Sequence, residues 1–259
     1  MDQLKFKTVC DKIINIERAK CGIGTLGEKT LHSILKHYFE ENEKNHEIKI
    51  SSFFADIKND NGITEIQTRN FDKLRKKLQC FLENETVTLL FPVADIKWLL
   101  WIDMQTGEVT KKRKSPKRGK IYDIFSELYK IKQYLDNPSL KLCIVMLELY
   151  EYRYLNGWSK DKKKGSRRCD RIPVDLLSQV QINNINDYHI FLPENLKFPF
   201  TSKDYKKATG LSMRNAQTAL NILNFLKIVR RTAKQGNLFL YDRETPLNTV
   251  DEKRVEYRY

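Results

Sequence analysis

Three carboxylates and one amide stand where a fold could gather them: Glu28, Asp56, Glu65 and Gln67. Asp56 lies in an extended run, 47–58, and alternation along a strand puts it on a face with Ile48, Ile50 and Phe54. A charge has therefore entered an apolar face. In the following run, 63–68, Ile63, Glu65 and Gln67 share a face. Between the runs, Asn59-Asp60-Asn61-Gly62 is dense in residues that tolerate positive φ and predicts an antiparallel hairpin. With those four residues as the loop, Lys58 pairs with Ile63 and Asp56 falls opposite Glu65. Directly opposed residues hold their Cβ atoms about 4.5–5.5 Å apart, so two carboxylates there repel and call for a cation. Mg2+ suits the place: it takes one or two carboxylates, keeps several waters, and leaves room for a phosphate oxygen and an attacking water. The chemistry would be phosphodiester hydrolysis. The alternative is that Asp56 and Glu65 are edge charges on a half-solvated sheet.

The elements that must position these groups can be read from periodicity. A helix over 26–43 carries Glu28 in its first turn, near the stripe of Leu31, Leu35 and Tyr38. Glu28 either faces inward there or only complements the helix dipole. After the hairpin comes a helix that Asn70 could cap, with Phe71, Leu74, Leu78 and Phe81 on one stripe. The runs 86–93 and 98–103 read as strands, the first apolar enough to be central. A helix over 121–135 and a β-prone run over 141–155 follow.

Glu28 on an early helix, Asp56 near the end of a strand and Glu65-Ile66-Gln67 on the next resemble the PD-(D/E)XK, or restriction-endonuclease-like, nuclease superfamily, as does the element order. The resemblance implies that Asp56 and Glu65 ligate the metal, Mg2+ with Mn2+ as a substitute. Gln67 takes the position of the family's lysine, and Glu28 that of an auxiliary helix acid which tunes the site or holds a second ion. A glutamine orients the attacking water by hydrogen bonding, where a lysine would polarise it as a cation. Lys29 and Lys58 are alternative sources of that charge.

Further along, Thr201 and Ser202 suit an N-cap, Gly210 a helix end, and Ser212 the cap of a second helix that buries Ala216, Leu220, Leu223 and Leu226. Residues 228–232 and 238–241 read as a hairpin with a basic tip. The stretch from about residue 198 to 243 resembles a winged helix-turn-helix domain. That resemblance implies DNA contacts by Arg214, Gln217, Thr218 and Asn221 on the second helix and by Lys234 on the wing. A protein-binding winged helix is the other reading.

Charge supports a polyanionic partner. The 259 residues include 47 Lys+Arg against 33 Asp+Glu, a formal +14, and 41% hydrophobic residues exclude a disordered basic tail. Seven Lys or Arg fall within 111–120, where Lys112, Arg113, Lys117 and Arg118 are candidate phosphate contacts; the alternative is a solvated basic face. A second basic run occupies 158–171. The five cysteines contain no C-x-x-C pair, and the four histidines read as surface or capping residues. The absence of a leader-like N-terminus or a long apolar run points to a cytoplasmic protein without membrane association.

The expected fold class is α/β (α+β): a restriction-endonuclease-like mixed sheet flanked by helices, followed by a small winged-helix domain. The expected divisions are a catalytic domain over 1–157, a basic linker and connecting segment over 158–197, a winged helix over 198–245 and a polar tail over 246–259. The expected function is that of a Mg2+-dependent DNA endonuclease, a homodimer where both strands are cut. The rival readings are a non-catalytic DNA-binding regulator with a degenerate nuclease-like domain, and a nuclease acting on RNA.

Overall fold

The computed structural model describes residues 2–21, 29–157 and 168–244. The chain divides into two units, Met1–Asp187 and Tyr188–Tyr259. No helix among the described residues is long and apolar enough to cross a membrane.

In the first unit, helix α1 (Gln3–Cys21) buries Phe6, Cys10 and Ile13, an i, i+4, i+7 stripe too narrow to stand out amid the surrounding charges. Helix α2 (Lys29–Phe39) buries Leu31, Ile34, Leu35 and Tyr38. It ends at Phe39, short of the expected 43, with a separate 3₁₀ turn at Glu43–Asn45; the expected residues 26–28 lie outside the described residues. Phe6 meets Tyr38 edge to face at 5.2 Å, and both helices share one core with Ile57, Ile66, Leu90, Cys143 and Val145 from the sheet.

The run expected as one strand over 47–58 folds back on itself. Strand β1 (His46–Ile50) and strand β2 (Phe53–Asn59) pair antiparallel about Ser51-Ser52, where Ser51 takes φ 53°. Ile48 pairs with Ala55 and Ile50 with Phe53, so neither shares a face with Asp56 as expected. Strand β3 (Gly62–Ile66) returns along β2 in the expected register, Lys58 with Ile63. Asn59 and Gly62 also pair, which leaves a two-residue tip, Asp60-Asn61, rather than a four-residue loop.

From β3 the chain crosses through a 3₁₀ turn (Phe71–Leu74) and helix α3 (Arg75–Phe81), burying the expected Phe71, Leu74, Leu78 and Phe81. Asn70 makes no side-chain cap; it sits at φ 62° and supplies the bend instead. Strand β4 (Val87–Ile102) then runs parallel to β3. Here two expected strands are one, kinked by a bulge between Ala94 and Ile96. The short strand β5 (Arg113–Lys114) lies on β4. The expected helix over 121–135 is broken into a 3₁₀ turn (Ile121–Ile124), one turn of α4 (Phe125–Leu128) and a further 3₁₀ stretch (Tyr129–Tyr134), interrupted at Ile131 with φ −121°.

Strand β6 (Leu140–Tyr154) runs parallel to β4, and β7 (Arg168–Ile182) runs antiparallel to β6. The sheet order is β1-β2-β3-β4-β6-β7, mixed in direction and flanked by helices. The segment expected as a linker over 158–197 thus contributes a full strand, and the division between units falls at Asp187 rather than at 157.

In the second unit, β8 (Phe200–Thr201), β10 (Leu238–Arg243) and β9 (Val229–Gln235) form a small antiparallel sheet beside helices α5 (Ser202–Thr209) and α6 (Met213–Phe225). Thr201 and Asp204 cap α5 reciprocally, Gly210 ends it at φ 70°, and Ser212 accepts the Asn215 N–H to start α6. Ala216, Leu220, Leu223 and Leu226 are buried as expected. The expected tail over 246–259 lies outside the described residues.

Candidate active site

The β2–β3 ladder stops at Ile57 opposite Thr64, and on the next rung side chains take over the backbone's hydrogen bonds. Glu65 Oε1 accepts the Asp56 N–H at 3.3 Å, and Asp56 Oδ2 accepts the Ile66 N–H at 2.7 Å. Each carboxylate satisfies a backbone donor of the opposite strand. The expected juxtaposition of Asp56 and Glu65 is therefore present, in a form that locks both groups at the end of the hairpin.

Two flanking helices supply side-chain partners. His32 on α2 places Nε2 3.0 Å from Asp56 Oδ2, and Lys77 on α3 places Nζ 2.6 Å from Glu65 Oε2. Sequence reasoning missed both. Lys77 carried a signal: it is three residues after Leu74 and four before Phe81, on the border of the buried stripe, where a charge needs a partner. His32 stands three residues before Leu35 in the same way, and it is not the surface or capping histidine expected.

Burial acts to raise both acids, and their partners separate them. Glu65, 3% exposed, is pushed up to about 7 by desolvation and by the Asp56 charge, against the pull of Lys77. Burial also acts to raise Asp56, but the His32 hydrogen bond and charge, the Ile66 N–H and Lys77 outweigh it and hold the carboxyl below its usual range. The pair thus comprises a firmly ionised acid beside one that takes up a proton near neutrality.

Gln67 turns aside: its amide donates to the Arg69 carbonyl at 2.6 Å. Glu28 lies outside the described residues, as does the Lys29 side chain. Lys58 bonds to Glu85 at 2.9 Å instead of approaching the acids. Among the described residues no group of three or more His, Cys, Asp or Glu is arranged to hold a metal ion; the two carboxylates of Asp56 and Glu65 are the residues that could hold one here. Hard oxygen donors of that number match magnesium, which completes its shell with water and substrate oxygens.

The basic segment 111–120 is fastened to the sheet. Ser115 N–H donates to Lys97 O and Gly119 N–H to Ala94 O, both at 2.8 Å. A Cβ at Gly119 would collide with Val93 and the Ala94 carbonyl, so glycine permits this close approach. Arg118 grips Asp95 with two bonds of 2.8 and 2.7 Å. Lys112 lies over the rings of Trp98 and Tyr150, 5.0 and 5.4 Å from their centroids. Arg113 is exposed on β5.

In the second unit Arg214 and Gln217 are exposed on α6, and Thr218 and Asn221 are half-buried. The Thr218 hydroxyl donates back to the Arg214 carbonyl. On the hairpin, Arg231 and Lys234 lie over Phe239, at 4.3 and 5.2 Å from the ring centre.

A third acid, Glu151, is fully buried among cations: Arg153 at 2.6 Å, Arg171 at 3.3 Å, Lys97 at 3.5 Å and Arg168 at 3.7 Å. Desolvation acts to raise it, but Lys97, Arg171 and Arg153 hold it down to about 2.

The family described as Domain of unknown function (DUF8091) matches residues 29–183, which takes in β1 to β7, the acidic pair and Glu151. A Treponema pallidum (strain Nichols) protein described as uncharacterized is 26% identical over 226 residues, covering 86% of this chain and 88% of its own. No solved structure matches.

Proposed function

The chain belongs to the DUF8091 family, and we propose that it acts as a metal-dependent DNA endonuclease with its catalytic centre at Asp56 and Glu65. The observation that carries this reading is the meeting of the two carboxylates on the first rung past the β2–β3 ladder, each holding the other strand's N–H. Asp56 and Glu65 would hold Mg2+ or Mn2+, which when bound polarises a phosphoryl oxygen and lowers the pKa of a coordinated water. His32 keeps Asp56 oriented and ionised. Lys77 offsets the charge of Glu65 in the free protein and offers a cation to a phosphate drawn against the pair, the role that Gln67 cannot fill. Gln67 orients water once its amide leaves the Arg69 carbonyl.

The sheet is read as restriction-endonuclease-like because the acid-bearing hairpin is followed by a helical crossover to parallel strands. The second unit is read as a winged helix, with α6 offering Arg214 and Gln217 to a duplex and the β9–β10 hairpin offering Lys234.

The engagement of both acids by protein side chains, together with the turned-away Gln67, favours a second reading. In it the protein is a DNA-binding regulator that does not cut. Incubation of supercoiled plasmid, linear duplex and RNA with Mg2+, Mn2+ or chelator separates the readings. The expected result is nicking or linearisation of DNA by the wild type with metal, abolished by chelator and by Glu65→Gln. Intact DNA with undiminished binding by both proteins would leave the regulator, and cleavage confined to RNA would change the substrate.

A further inference from the structure

Along β4 from the acidic pair runs a cleft of about 470 Å³, lined by Lys97, Lys117, Arg118 and Arg171 over a wall that includes Phe91 and Ala94. Its volume falls within the roughly 300–1,000 Å³ range of small-molecule sites. Glu65 pairs with Leu89 in the parallel ladder, so the apolar wall of the cleft begins at Phe91, about 7 Å farther along the same strand, and its cations gather from Asp95 to Lys97, about 20–26 Å along at the usual rise.

This concentration of charge is built into the fold. The bulge at Ala94–Ile96 turns out Asp95, which anchors Arg118, and Gly119 lets the basic segment close on the bulge. Beneath, Glu151 draws Lys97, Arg153, Arg168 and Arg171 together with one negative charge. Asp123 also lines the cleft, with its carboxyl raised by burial and accepting the Lys120 N–H; Asp170 is buried nearby and accepts the Arg171 N–H. Six cations therefore gather around four carboxylates, and no side chain of the described residues forms an ion pair with Lys117. Holding Lys97, Arg153, Arg168 and Arg171 half-buried around one carboxylate costs stability through desolvation and mutual repulsion, a cost that an incoming anion offsets.

We infer that this cleft is a phosphate-binding subsite that seats a phosphate of the nucleic-acid strand lying across Asp56 and Glu65. The inference rests on the nuclease reading for the identity of the strand, and on the cleft alone for its phosphate chemistry. Glu151 is a positioning residue: it touches no ligand and aims Lys97 and Arg171. The planar guanidinium of Arg171 suits bidentate phosphate contact, Arg118 is held by Asp95 through Nε and one Nη and offers its other Nη, and Lys117 supplies a point charge.

The test uses the full chain in chelator, where no cleavage intervenes. Fluorescence anisotropy follows short oligonucleotides with 5′-phosphate or 5′-hydroxyl ends, for wild type and for Lys117→Ala/Arg118→Ala, both exposed positions. The expected result is about a tenfold loss of affinity, with the salt slope reduced by about two because each phosphate-contacting cation contributes about one. Loss on both oligonucleotides assigns a backbone diester, and loss confined to the 5′-phosphate form assigns a terminal phosphate. Equal affinity and slope in wild type and variant would overturn the inference. Cleavage measured in parallel with Mg2+ separates the two claims. A wild type that binds through the cleft yet cuts nothing keeps the subsite and removes the nuclease; a variant that binds and cuts like wild type does the reverse.

Discussion

A carboxylate without water around it is charged only to the extent that its neighbours support the charge, and Glu65 and Glu151 resolve this in opposite ways. Glu65 has one ammonium, Lys77, and an anionic neighbour, Asp56, and rises to about 7. Glu151 lies among four cations and falls to about 2. Replacing Glu151 with Gln leaves those cations without their shared counterion, and breaking a buried pair in this way costs about 3–5 kcal/mol. Urea unfolding at neutral pH should show a loss of that size; an unchanged midpoint would mean that the cluster is screened by solvent. The same group predicts an acid limb. Its folded pKa lies below the ordinary 4.5, so its contribution is complete above that value and fades as pH falls toward 2. A fall from 4.5 to about 2 makes that contribution on the order of 3 kcal/mol. The fall in stability between these pH values should be shallower in Glu151→Gln than in wild type.

At the scale of elements, the hairpin that carries the acids depends on one glycine. Gly62 sits at φ 106°, and a Cβ there would collide with the Thr86 carbonyl oxygen, which accepts the Ile63 N–H at 2.8 Å as β3 joins β4. Gly62→Ala must therefore strain the backbone and push β3 from β4, at a cost of about 1–3 kcal/mol. Thermal unfolding should show the loss, and a neutral result would mean that the hairpin tip moves freely. The register that brings Asp56 to Glu65 was legible because Asn59-Asp60-Asn61-Gly62 restricts where the chain can reverse. The second reversal, at Ser51-Ser52, was not: serine carries no comparable demand for positive φ, and the turn exists because β1 gains β2 as a partner. The joining of two expected strands into β4 across a bulge was equally hidden, since β4 is continuous by its pairing with β6, far away in the chain, on both sides of the bulge.

Across the whole molecule the charge of +14 is unevenly spent. Arg118 and Lys112 are engaged with Asp95, Trp98 and Tyr150, whereas Lys117 and Arg214 remain open to a polyanion. Under the proposed function, Arg214→Ala in the full chain should weaken duplex binding by about 1–3 kcal/mol without altering thermal stability, because the side chain is exposed. Unchanged duplex affinity would remove α6 from the nucleic-acid interface and favour the protein-binding form of that unit.

By itself the sequence determined what local chemistry dictates: the hairpin register, the buried stripes of α3 and α6, the caps at Thr201, Gly210 and Ser212, and the nearness of Asp56 to Glu65. Tertiary structure decided what depends on residues far apart in the chain. It brought His32 and Lys77 to the acids from two helices, made β7 a strand of the sheet, and collected Lys97, Arg153, Arg168 and Arg171 around Glu151. The physical reason is that a turn or a helical stripe is set by φ preferences and spacing within a few residues, whereas a buried charge finds its partner only when separate elements pack.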